Sequence, residues 1–469
     1  MAVLSAEEKI IFVAVMARTG ANSIPAEKFL DLAEKEDPTN LGELTSIGRH
    51  QHHLLGRKLG YNYIANKKLI SSGYVPGEVI VRTTGLNRGV EAAQSFLTGF
   101  YQAGLGPTLD HRVIKNAVPP IHIAEIDKLL TELRDEALPG YLGSFGIHTT
   151  NENNDYILNP HFTCPSVAKE AEDYEEHFQS LYNKHQEFYN ELQKVHKIEV
   201  SSYKDIKDLS DTIYSIHGNA KKLNKSLSES QLKKIENISW DLDTDIFLHS
   251  DHKTKLMYHH ILTELKENLE NAKNGKKKHT NESYTKMTYL QLDYYHLLAF
   301  KKLFSMEIPD QIPYASILIL ELVKANDKYE VKLFYNDDKW KLSKSFDDFI
   351  GLIDINIYKS DTLFMEACLH YEVYDEKLYV NLSIVLLILF LGVLGVSWFF
   401  SLRQGSKKTE GENEDMLVEY LDKHETINES VLAPELEKED NAAVKLTTQQ
   451  FELGDDNKDD PSDDDGSQD

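Results

Sequence analysis

Ile10-Ile11-Phe12-Val13-Ala14-Val15-Met16-Ala17-Arg18-Thr19-Gly20-Ala21-Asn22-Ser23-Ile24-Pro25 sets eight apolar residues before an arginine and a glycine turn. An unbroken apolar run of that length reads as a strand buried on both faces, the pattern of a parallel sheet. In open α/β sheets the ligand crevice lies at the carboxyl ends of such strands. Arg18 and its neighbours therefore mark the first place to look for a site.

Three further stretches fit the same plan. Leu44-Thr45-Ser46-Ile47-Gly48-Arg49-His50-Gln51-His52-His53-Leu54-Leu55-Gly56 continues to Leu59 with apolar residues at 47, 54, 55 and 59, a helical stripe. His50, His52 and His53 are expected on that helix surface; no acid or cysteine joins them to make a metal site. Val79-Ile80-Val81-Arg82-Thr83-Thr84-Gly85-Leu86-Asn87-Arg88 reads as a strand and turn leading into a helix from Val90 to Tyr101. Ile317 to Lys324 and Lys328 to Asp337 alternate about the turn Ala325-Asn326-Asp327, which predicts a hairpin.

Together these stretches resemble the histidine acid phosphatase family, branch 2 of the histidine phosphatase superfamily. The family's R-H-G-x-R-x-P is matched at Arg18 and Gly20, but Thr19 stands at its nucleophilic histidine and Asn22 at its second arginine. Its L-T-x-x-G-x-x-Q-x-x-x-L-G is matched at Leu44, Thr45, Gly48, Gln51, Leu55 and Gly56. Its V-R-S-T-D-x-x-R is matched around Arg82, with Gly85 in place of the aspartate. Its Y-S-x-H-D-T-T-L falls on Thr288 to Ala299, where Asp293 fits the aspartate and Leu292 replaces the histidine. Pro313-Tyr314-Ala315-Ser316 and Phe346-Asp347-Asp348-Phe349-Ile350 resemble the closing elements. His296, the tempting substitute, reads as a satisfied helix histidine.

The resemblance implies an α/β fold: a phosphoglycerate-mutase-like core sheet flanked by helices, with an inserted all-helical cap. Residues 1–375 form that domain, with the core at about 1–117 and 286–375 and the cap at about 118–285. It also implies roles. Arg18 and Arg82 bind phosphate, Asp293 is the candidate proton donor, and Thr19, Asn22 and Leu292 are degenerate positions. No cofactor or metal is called for. Histidine attack, an arginine clamp and a general acid make up the family's chemistry. A threonine hydroxyl is a weak nucleophile without a neighbouring base. The reading is a membrane-anchored, catalytically impaired pseudophosphatase that binds phosphate or a phosphorylated small molecule. The alternatives are an active acid phosphatase with an altered site and a structural surface glycoprotein. Cys164 and Cys368 resemble a disulfide pair of the animal members, against the alternative of two free thiols.

Composition bounds the rest. The net charge of −25 excludes a nucleic-acid binder. Residues 404–469 hold 21 acids and 6 lysines and are expected to be a disordered tail. Leu382–Leu402 is 21 residues without a charge, about the ~20 that a membrane-spanning helix needs. Arg403, Lys407 and Lys408 follow it, which predicts a single-pass protein with residues 403–469 cytosolic and the N-terminal domain luminal or extracellular. Met1 to Lys9 has no signal-peptide character, so the expectation is a true start upstream, with the alternative that the first strand doubles as a poor signal. Asn224, Asn237 and Asn281 begin glycosylation triplets.

Overall fold

β1 (Lys9–Arg18) runs through the middle of a seven-stranded mixed sheet. The computed structural model describes residues 8–34, 38–102, 104, 106–110, 112, 116–275, 285–307, 309, 311–336, 342–369, 384–392 and 394. The other strands are β2 (Val79–Thr84), β3 (His148–Thr150), β4 (Met287–Leu292), β5 (Ile317–Ala325), β6 (Lys328–Tyr335) and β7 (Leu342–Ser345). Their spatial order is β3-β2-β4-β1-β5-β6-β7. The first four in that order are parallel, and β5 to β7 close the sheet antiparallel. In the register, Arg18 lies beside Leu292 and Arg82 beside Leu290.

The apolar run of β1 feeds two cores because successive side chains point to opposite faces. Phe12, Ala14 and Met16 join Leu290, Leu292 and Leu320 on one face. Val13, Val15 and Ala17 join Val81, Tyr289 and Ile319 on the other. That second face is covered by α1 (Ser46–Gly60) and α2 (Asn87–Phe100). These two helices touch through backbone: a Cβ at Gly56 would run into the carbonyl of Phe96, and one at Gly99 into the carbonyl of His53.

Helices dominate the stretch between β2 and β4. They are α3 (Ile126–Leu133), α4 (Pro160–Thr163), α5 (Pro165–Asp173), α6 (Glu175–Asn183), α7 (Gln186–Glu191), α8 (Tyr203–Gly218), α9 (Glu229–Leu248) and α10 (Asp251–Asn274). Ser202, Ser228 and Ser250 cap α8, α9 and α10 by accepting backbone N–H bonds at their first turns. A separate core of Phe178, Leu192, Ile206, Leu209 and Leu242 takes in Ile24, Phe29 and Leu32 from the loop after β1. The stretch is not purely helical, since β3 joins β2 at the sheet edge. After β4 come α11 (Tyr294–Leu303), then α12 (Phe346–Asp354) and α13 (Asp361–Leu369). A Cys164–Cys368 disulfide ties the start of α5 to α13 across 204 residues, with Cα atoms 5.2 Å apart.

The membrane expectation is corrected here. Among the described residues no helix is long and apolar enough to cross a bilayer. Within Leu382–Leu402 the described helical residues are 384–392 and 394. The rest of that stretch lies outside the described residues, as does the tail 403–469. The single-pass topology, with its luminal or extracellular domain and cytosolic tail, therefore has no spanning helix under it among the described residues. Of the glycosylation triplets, Asn224 and Asn237 are exposed, and Asn281 lies outside the described residues. The surface placement of all three helix histidines is also corrected: His50 is exposed, but His52 is fully buried beneath α1, 3.3 Å from the Tyr289 hydroxyl.

Candidate active site

The loop that leaves β1 is fastened by backbone contacts. Arg18 N donates to Ser316 O at 2.8 Å and Thr19 N to Leu292 O at 3.1 Å. A Cβ on Gly20 would stand 2.7 Å from the Gly48 carbonyl, so glycine is required where the loop crosses α1. The helix holds the loop with the residues of its motif. Thr45 Oγ1 donates to Ala21 O at 2.8 Å and accepts from Gly48 N at 3.2 Å. Gln51 Oε1 accepts from Ala21 N at 2.9 Å. From α8, Ser215 and Asn219 each donate to Asn22 O at 2.7 Å.

Thr19 is buried, and its hydroxyl donates to Leu292 O at 3.3 Å. Gln291 Nε2 donates to Thr19 Oγ1 at 3.5 Å. Leu292 is packed in the core.

Arg18 is the cation at the strand ends, and its surroundings are aromatic. Its guanidinium lies over the rings of Tyr314, Tyr214 and Tyr294, at 4.6, 5.0 and 5.3 Å from their centroids. Its Nη1 donates to the Ile312 carbonyl. Cation–π contacts of this kind hold a guanidinium in place more firmly when water is excluded. The space in front of it is about 100 Å³ and is lined also by Asp211, Trp240 and Asp243. Burial pushes the Asp211 carboxyl above its usual range, against the pull of Lys207 and Arg18. The Tyr294 hydroxyl donates to Asp243 at 2.6 Å, and Lys207 pairs with the same carboxylate.

Arg82 shares the sheet face of Arg18, with β4 between their strands. Two strand spacings and an offset of two residues along β4 set their backbones roughly 12 Å apart. Arg82 is ion-paired with Glu264 of α10 at 3.6 Å. Asp293 follows β4 at the N-cap of α11 and pairs with Arg88 at 3.7 Å. Asn22 keeps its side-chain carbonyl buried without a hydrogen bond. Arg18 and Arg82 thus share one face of the sheet, yet each faces its own partners.

Two groups of neighbours were not singled out from sequence. Arg88 closes the V-R-T-T-G-L-N-R stretch, so its signal was in the motif itself. Asp211, Tyr214 and Asp243 come from α8 and α9, where helical spacing shows a buried face but no chemistry. His296 is buried, with Nε2 3.0 Å from Leu158 O.

One imidazole–carboxylate cluster lies elsewhere. Atoms of His259, His260 and Asp361 come within 4.8 Å of one another. The Tyr358 N–H donates to His259 Nδ1 at 3.1 Å, so the neutral ring carries its proton on Nε2, facing Asp361 at 3.6 Å. That nitrogen therefore offers a proton to the carboxylate, not a lone pair to an ion.

Comparison with known proteins agrees with the sequence motifs. The family model of the histidine phosphatase superfamily (branch 2) matches residues 15–287. Lysophosphatidic acid phosphatase type 6 of Mus musculus is 36% identical over 70 residues, which is 15% of this chain and 17% of that protein. Testicular acid phosphatase of Mus musculus is 34% identical over 132 residues, 26% of this chain and 29% of that protein. The chain thus spans under a third of the length of these curated relatives. Hafnia alvei phytase in complex with myo-inositol hexakis sulphate superposes with a TM-score of 0.49 at 13% identity, covering 77% of this chain and 98% of that one.

Proposed function

This chain belongs to the histidine phosphatase superfamily, branch 2, and from that premise we propose that it is a catalytically impaired member whose strand-end crevice receives phosphate or a phosphorylated small molecule. The observation that carries the proposal is Thr19. Its hydroxyl is buried and spent on the Leu292 carbonyl, with the Gln291 amide beside it. A base to take its proton is missing from that set of contacts, and activation of a hydroxyl needs one. The anion is assigned to Arg18 and Arg82, which share a sheet face and present planar donors suited to phosphoryl oxygens. Asp293 has the position of a proton donor, but no nucleophile delivers it a leaving group. The helices from α3 to α10, within about 118–285, form the cap of this crevice in the same reading.

A chromogenic phosphate ester offered to the full chain at acid pH tests the impairment. The expected turnover equals that of an Arg18→Ala control. Turnover well above that control overturns the impairment and favours an altered-site phosphomonoesterase. Inorganic phosphate tests the binding half: a rise in thermal midpoint at millimolar phosphate, lost in Arg18→Ala, is expected. A flat response overturns it.

A further inference from the structure

On the other side of the sheet, α1 runs directly into a π-helical turn, Tyr61–Asn66, where Lys67 N bonds Asn62 O five residues back. The chain then passes through Lys68 in the left-handed region, at φ 50°. π-Turns and left-handed non-glycine residues are each unfavourable, and both concentrate at functional sites. Here they border one cavity of about 830 Å³ between this turn and the end of α2. Its volume is in the ligand range of roughly 300–1,000 Å³, whereas the space in front of Arg18 is about 100 Å³.

Charge tells what such a cavity would hold. Its lining includes His53, Arg57 and Lys68, with no carboxylate among the described lining residues. Arg57 and Lys68 are exposed and have no ion-pair partner among the described residues. The two cations thus stand side by side on a chain whose net charge is −25. His53 Nδ1 lies 3.4 Å from Thr98 Oγ1, which leaves the other ring nitrogen for a ligand. Tyr61, 71% exposed, and Ile64 add an aromatic and an apolar wall.

We infer that this cavity is a second ligand site, separate from the strand-end crevice, taking a small organic oxyanion on a ring or short apolar frame. The oxyanion meets Arg57 and Lys68, and the frame lies against Tyr61 and Ile64. Charge-assisted bonds from two cations supply the affinity, so it weakens as salt rises.

Phenylphosphonate is the probe, because it carries a dianion on a ring and has no ester to hydrolyse. It is titrated into the full chain while the thermal midpoint and the heat of binding are followed. Binding is expected in the unaltered chain and in Arg18→Ala, weakened by about tenfold or more in Arg57→Gln/Lys68→Gln. The charge-keeping pair Arg57→Lys/Lys68→Arg is expected to retain most of it. Circular dichroism checks that these exposed substitutions leave the fold intact. Absence of binding at tens of millimolar overturns the inference. So does binding lost in Arg18→Ala but kept in the double glutamine variant, which would place the ligand in the strand-end crevice alone. An equal response to sulfate reduces the effect to surface charge and overturns it as well.

Discussion

Gly20 has no room for a side chain. Its Cβ would lie 2.7 Å from the Gly48 carbonyl and 2.8 Å from Gly48 Cα, both backbone atoms that cannot swing aside. Gly20→Ala should therefore destabilise the fold by about 1–3 kcal/mol, the usual range for forced overpacking. Gly351, inside α12 with nothing within 4 Å of its would-be Cβ, is the contrast. Gly351→Ala should be stabilising by about 0.5–1 kcal/mol through helix propensity. Chemical-denaturation midpoints measure both. His52 makes a different kind of residue-scale demand. Burial pushes its pKa from 6.5 down to about 3, so the folded protein keeps it neutral. The unfolded chain takes up that proton first as pH falls. Its contribution is fully present above pH 6.5, lost progressively down to about pH 3, and constant below. The slope in that window is at most about 1.4 kcal/mol per pH unit. His52→Gln should flatten the acid side of the stability–pH curve, and an unchanged slope would mean that other groups govern it.

The legible elements were those whose signal repeats over several residues. The eight apolar residues of β1 and the alternation of β5 and β6 carry their burial in their order, and both became strands. β3 has three residues, too few to show a period, and only its pairing with β2 makes it a strand. The motif on α1 could be matched letter by letter, but its purpose needed coordinates: Thr45, Gly48 and Gln51 hold the loop after β1. The apolar run from Leu382 failed for a related reason. Hydropathy reports a solvent preference, and it was read as a length of helix that the described residues do not contain. The disulfide is the element-scale device that can be measured. Ser166 Oγ donates to the carbonyls of Ala367 and Cys368 at 2.7 and 2.9 Å, so α13 is docked by hydrogen bonds as well as by sulfur. Cys164→Ser/Cys368→Ser should lower stability by up to roughly 5 kcal/mol in the loop-entropy model for a bridge across 204 residues. Unfolding with and without reductant checks it. If reduction leaves the midpoint unchanged, the packing of Phe364 and the Ser166 bonds hold α13 by themselves.

At the scale of the whole molecule, the crevice is assembled from β1, β2, β4, α2, α8, α9, α10 and α11, and that is why its sequence reading was incomplete. Arg18, Arg82 and Asp293 were legible because each fills a fixed place in one of the family's motifs. Their partners Tyr214, Asp211, Glu264 and Arg88 come from elements whose sequence distance says nothing of proximity. Those partners bear on any attempt to restore catalysis. Replacing Thr19 by histidine returns the family's nucleophile to β1. It does not return a charge at Asn22 or a donor at Leu292, and loss of one such donor costs ~10² to 10³ in rate. Arg82 would also have to exchange Glu264 for the phosphoryl group, a cost that a new nucleophile does not offset. Thr19→His alone should therefore leave phosphate-ester turnover within about tenfold of the Arg18→Ala background, since several donors act together and their losses are not made good singly. Steady-state rates with a chromogenic ester, and a search for a phosphorylated histidine at position 19 by mass spectrometry, are the measurements. Robust turnover in the single variant would mean that the crevice was poised for catalysis and lacked only its nucleophile.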